Sequence, residues 1–183
     1  MVARLLVVVS GLPASGKSTL ARGLANRLGL PVLDKDAILE ALLDSLGCAG
    51  PDDRSRLSRA SDEVLLRLAG SVRDAVLVSW WHDDVVARLG DAGTHLVEVF
   101  CDCPVEVAAE RFVRRRRHPG HLDHLRTADE HLASLRQAAQ VGPGPLDVGE
   151  LVTVATGQPV DPDAVARSVR SAAARLGVDL GGS

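Results

Sequence analysis

Leu5 to Val9 is an unbroken apolar run, the pattern of a strand buried on both faces. From Lys17 to Leu28 the period lengthens: Leu20, Leu24 and Leu28 recur at the spacing of one helix face. The two patterns then alternate. Strands are predicted at Leu30–Leu33, Ala75–Trp80, His95–Cys101 and Leu151–Ala155. Helices are predicted at Asp36–Leu46, Arg54–Arg73, Asp83–Leu89, Pro104–Arg117, Asp123–Gln140 and Asp161–Leu176. Gly47–Asp53 and Gly142–Pro145 carry turn chemistry, and His118–Leu122 breaks the helical pattern. Strands alternating with helices imply an α/β fold, a parallel sheet covered on both faces.

With 183 residues there is chain for one well-buried domain, expected over 1–176, with 177–183 a frayed tail. No internal repeat or linker divides it. Apolar residues are 46% and charged residues 25%, so the chain is a globular one. A formal charge of −3, with no Tyr, two Phe and two Trp, argues against a nucleic-acid partner. No run approaches a membrane span, and Val2–Val9 leads into Ser10-Gly11 rather than a cleavage site; a cytoplasmic protein is expected. Cys48, Cys101 and Cys103 read as reduced, inert thiols.

The first chemical signal is Gly11-Leu12-Pro13-Ala14-Ser15-Gly16-Lys17-Ser18, followed by Thr19, which fits G-x-x-x-x-G-K-[ST] without mismatch. Its glycines let successive N–H groups turn inward on a phosphate, and the helix that follows adds its N-terminal partial charge. Lys17 is expected on the β- and γ-phosphates and the Ser18 hydroxyl on Mg²⁺. Only two of the chain's 21 basic residues are lysines, and one of them stands at the motif position.

What happens to the phosphate is narrowed by absences. The single Asn, Asn26, is followed by Arg27, so the guanine-reading N-K-x-D is missing. Strand three ends Val78-Ser79-Trp80-Trp81-His82, with no Walker-B acid in it. Strand two instead ends Asp34-Lys35-Asp36, at the sheet edge where a parallel fold binds ligands. A carboxylate there either caps the next helix or takes the proton of an attacking hydroxyl; Asp36, which opens the helix, can do both. Arg111 and Arg114–Arg117 read either as a solvated helix end or as a lid whose Arg111 and Arg115 neutralise a transferring phosphoryl group. Trp80 and Trp81 read as core or as a flat platform for an acceptor. His118, His121, His124 and His131 match no zinc spacing.

Together, the phosphate loop, the acids after strand two and the Arg-rich helix resemble the small P-loop kinases of metabolites and antibiotics, such as gluconate kinase, chloramphenicol phosphotransferase and the zeta-toxin kinases. Asp36-Ala37-Ile38-Leu39 is similar to the base segment of chloramphenicol phosphotransferase, and Arg111, Arg115 and His118 to the R-x-x-x-R-x-x-H lid signature of gluconate kinases. The resemblance implies a P-loop nucleoside triphosphate hydrolase fold: a three-layer sandwich on a five-stranded parallel sheet ordered 2-3-1-4-5, with a helical lid over roughly 111–140. It also implies that Gly157, Gln158 and Pro159 hold the base of ATP or GTP, with ATP favoured.

The expected protein is therefore a phosphotransferase acting on a hydroxyl of a small molecule, a sugar or sugar-bearing antibiotic, as a monomer or homodimer. Lys17, Asp36, Arg111 and Arg115 would be catalytic. Gly11, Pro13, Ala14, Ser15, Gly16, Lys17, Ser18 and Thr19 would bind phosphate. Asp34, Asp36, Trp80, Trp81, His82 and His118 would meet the acceptor. A nucleoside or nucleotide kinase and a regulatory NTPase without acceptor are the alternatives.

Overall fold

Alternate residues of the first strand divide the core. In the computed structural model, which describes residues 4–90, 94–141 and 144–180, β1 (Arg4–Gly11) is central. Leu5, Val7 and Val9 pack with α1 (Lys17–Leu28) and α7 (Pro162–Arg175); Leu6 and Val8 pack with Leu65 and Ala69 of α3 (Pro51–Ser71). Six fully covered β1 residues are what the unalternating run predicts. The remaining strands are β2 (Val32–Asp34), β3 (Ala75–Val78), β4 (Thr94–Asp102) and β5 (Glu150–Ala155). All pair in parallel, in the order β2-β3-β1-β4-β5. The chain leaves β1 in one direction and β4 in the other, so a crevice opens at the carboxyl end of β1.

Several boundaries differ from the sequence pattern. α3 starts at Pro51, where the missing N–H costs nothing, and so absorbs part of the expected 47–53 loop. Between β2 and α3 lies α2 (Lys35–Leu46), and after β3 only the single turn α4 (Asp83–Val86). α5 (Val105–Arg114) ends three residues early: Arg115 is extended, its guanidinium stacked 3.9 Å from the Phe112 ring centroid. Arg117 is drawn away to carboxylates elsewhere. The expected 123–140 helix begins at Ala128 as α6 (Ala128–Val141), because Thr127 and Glu130 close a reciprocal capping box; a 3-10 turn precedes it at Asp123–Leu125.

The 142–145 turn falls partly, and the tail's residues 181–183 wholly, outside the described residues. Val178, expected in that tail, is buried, and its N–H donates to Ala173 O at 2.9 Å. Among the described residues, no helix is long and apolar enough to cross a membrane.

Candidate active site

The phosphate loop curls because three residues take backbone conformations that ordinary helices and strands exclude. Gly11 has φ +126°, Ala14 φ +60° and Gly16 φ +97°, with Gly16 capping α1. Lys17 reaches back across the loop, its Nζ donating to Gly11 O (2.9 Å) and Leu12 O (2.7 Å). Burial lowers its pKa to about 8, and the Arg115 charge pushes the same way; Asp36 and Asp34 oppose it. At pH 7 Lys17 is still charged, and a triphosphate raises its proton affinity. Nucleotide affinity is thus expected to be full below pH 8 and to fall about tenfold per unit above it. Titrating a fluorescent ATP analogue from neutral to alkaline pH checks this, and a flat wild-type profile would sink it; Lys17→Arg should be flat.

A cleft of 1110 Å³ runs from this loop along the carboxyl edge of the sheet. Its wall contains Pro13 to Thr19, Asp34, Asp36, Trp80, His82, Arg111, Arg115, Gln158 and Pro159, so one space gathers most of the residues picked from sequence. Four stand outside it, the first being Gly11, whose carbonyl accepts from Lys17 Nζ. Trp81 is only 9% exposed and packs in the core, its Nε1 donating to Val9 O at 2.8 Å, whereas Trp80 is 37% exposed and 6.0 Å from Lys17 Nζ. Of the expected indole pair, only Trp80 therefore faces the cleft. Gly157 gives its carbonyl to Arg111 rather than lining the cleft. His118 is also withdrawn: its Nδ1 accepts from Gly120 N–H, so Nε2 carries the proton and donates to Asp44 at 2.9 Å.

The two acids after β2 have separate jobs. Asp34 caps α2, its Oδ1 accepting from Asp36 N–H at 3.0 Å. Burial raises its pKa, with the Ser18 hydroxyl and that N–H partly offsetting. Such a carboxyl beside a hydroxyl suits Mg²⁺, which takes one or two protein oxygens and completes its shell with phosphates and water. Cation binding would restore the charge that burial disfavours. Beside Ser18, Asp34 is a residue that would hold such a cation, a role the sequence reading did not give it. Asp36 points the other way, its Oδ2 accepting from Arg117 Nη2 at 3.1 Å. Burial tends to raise its pKa, but Arg117, His121 and Arg115 outweigh it and hold the carboxyl below the usual range.

Arginines dominate the opposite wall. Arg111 pins the loop after β5, Nη1 donating to Thr156 O at 2.8 Å. Arg115 has its pKa lowered to about 10 by burial and by Arg117, and its buried Nε has no hydrogen-bond partner. Arg54, Arg116, Arg117 and Arg126 line the cleft too, and the sequence reading assigned none of them to the site. One signal was available: Asp36, Glu40 and Asp44 recur every four residues on α2. Each is engaged by the segment after α5, through Arg117, His121 (3.0 Å) and His118 respectively.

Against known proteins, the chain is 36% identical over 126 residues to an uncharacterized protein of Mycobacterium tuberculosis, an alignment covering 60% of this chain. The match spans only a quarter (25%) of that relative's length. It is 32% identical over 130 residues to the cytidylate kinase of Natronomonas pharaonis, covering 68% of this chain and 66% of that one. The crystal structure of a "putative kinase" from Chloroflexus aurantiacus superposes with a TM-score of 0.81 at 30% identity, over 92% of this chain and 98% of that one. Residues 6–141 match the model of the AAA domain family. With phosphate loop, strand order and family match in agreement, the chain belongs to the AAA domain family and has the fold of the small P-loop kinases.

Proposed function

We propose that the protein transfers the γ-phosphoryl group of a nucleoside triphosphate, ATP in the first instance, to a hydroxyl of a small molecule. The observation that carries this is the sharing of one cleft by Lys17 and an ionised Asp36. A regulatory NTPase has no need of a second carboxylate facing the phosphate end. In the proposed reaction the acceptor hydroxyl lies against Asp36, and its oxygen attacks the γ-phosphorus in line with the departing β-phosphate oxygen. The new P–O bond forms as the old one breaks, and the hydroxyl proton passes to Asp36. A carboxylate held acidic by Arg117 is a weak base, which suits a loose transition state where the proton leaves late. Lys17 and Arg115 meet the charge on the phosphoryl oxygens. Ser18 and Asp34 would hold Mg²⁺, which when bound supplies positive charge against the phosphates.

The exposed Trp80 face beside Lys17 supports a ring-bearing acceptor, a sugar or sugar-bearing antibiotic. The arginine-lined wall supports a second reading, a nucleotide acceptor, in keeping with the cytidylate kinase relative. A mass-spectrometric screen with Mg²⁺, ATP or GTP, and pools of sugars, nucleosides, nucleotides and antibiotics separates them. One product heavier by ~80 Da, a phosphoryl group, establishes transfer and its acceptor class. Nucleotide turnover without a phosphorylated product in any pool would overturn the kinase reading.

A further inference from the structure

Eight cationic side chains and two carboxylates line the cleft. Most of the cations have partners. Lys35 pairs with Asp62 at 2.8 Å, Arg117 with Asp36 and Asp123, and Arg111 and Arg126 are bonded to carbonyls. Arg115 lies near enough to Lys17 to lower its proton affinity, which puts it at the phosphate end. Arg54 is different. It is half-buried in the wall of the cleft, and among the described residues no carboxylate or carbonyl engages its guanidinium.

The position of Arg54 is set by α3. Arg54, Ser58 and Asp62 follow at intervals of four and so share a helix face. Asp62 at the end of that row is tied to Lys35, the residue between Asp34 and Asp36. The row therefore lies alongside the carboxyl end of β2, on the acceptor side of the cleft. The neighbouring Arg56 faces water and is neutralised by Asp53 at 3.0 Å. A guanidinium with a hydroxyl one turn away offers a fork of N–H donors and an O–H to a planar or tetrahedral anion. Asp36 does not repel such a group, since Arg117 already balances it.

We propose that Arg54 and Ser58 form an acceptor subsite for a carboxylate or phosphate ester, so that the molecule phosphorylated is an anion. This rests on the kinase reading for its name as an acceptor site, while the anion site itself can be tested by binding. The protein is saturated with Mg²⁺ and a non-hydrolysable ATP analogue, and matched ligands are titrated in. The ligands are a hexose against its hexonate and its phosphate, and a nucleoside against its monophosphate. The same ligands are incubated with ATP and weighed for product.

The anionic members are expected to bind about ten- to a hundredfold tighter than their neutral counterparts. Arg54→Gln should remove that preference and leave nucleotide affinity unchanged; Arg54→Lys should recover part of it. Whether hexonate or phosphate binds identifies the anion. Equal binding of neutral members, no binding by any anion, or a preference that survives Arg54→Gln overturns the subsite. Anion binding lost in Arg54→Gln, with no mass gain in any pool, upholds the subsite and sinks the kinase reading instead.

Discussion

Asp36→Asn is expected to slow phosphoryl transfer by about 100- to 10,000-fold while leaving nucleotide affinity near the wild-type value. The amide has the shape of the carboxyl but cannot take a proton, so the substitution isolates the chemical step. Its structural cost is small. Arg117 keeps Asp123 at 3.5 Å, and the α2 cap belongs to Asp34 and is untouched. A negative charge in the first helical turn is worth only about 0.3–1 kcal/mol. The variant is assayed for kcat with the acceptor the screen returns, and for affinity with a fluorescent nucleotide. Transfer within a factor of a few of wild type removes Asp36 as the base; loss of nucleotide binding shows instead that it shapes the phosphate site.

Gly11→Ala is expected to lose nucleotide binding altogether and about 3–5 kcal/mol of stability. Gly11 pairs with Cys101 in the β1–β4 ladder, and a Cβ there would stand 2.6 Å from Cys101 O and 3.0 Å from its Cβ. Neither backbone nor packed strand can yield, and φ +126° is closed to an L side chain. For a chain of this size the melting temperature should drop by roughly 6–20 °C. Gly16→Ala is the control. Its φ is also positive, but the nearest neighbour of a Cβ there would be Arg111 Nη1 at 4.0 Å, so strain acts without a clash. That variant should cost about 1 kcal/mol. Equal melting temperatures for the two would show that steric contact with Cys101 is not what requires glycine.

What could be read from sequence was what is encoded locally. The phosphate loop is eight consecutive residues whose conformation depends on their own glycines, and β1 announces itself by six buried side chains in a row. The strand order came with the family resemblance. The capping box Thr127–Glu130 was equally local, and would have placed the start of α6 had it been used. Trp80 and Trp81 could not be separated, because adjacent residues beyond a strand end diverge, and only the packing on Val85 and Leu89 selects the one that goes inward. The acidic row Asp36, Glu40 and Asp44 was periodic, but what it grips could not be read from that period. Arg117 meets Asp36 across 81 positions, and such pairings exist only once the chain is folded.

α2 carries the proposed base and also the acidic row that grips the segment from Arg117 to His121. Any motion that lifts this segment therefore changes proton binding. Withdrawal of Arg117 removes the charge that keeps the Asp36 carboxyl acidic. Release of His121 from its buried place beside Glu40, with Arg117 and Asp36 near, returns the imidazole toward its ordinary affinity. Both groups bind protons more readily when the segment is raised, so by linkage acidification favours the raised state and alkalinity the lowered one. A turnover step that lifted the segment would then take up protons from solvent, giving the rate a pH dependence beyond that of the chemistry.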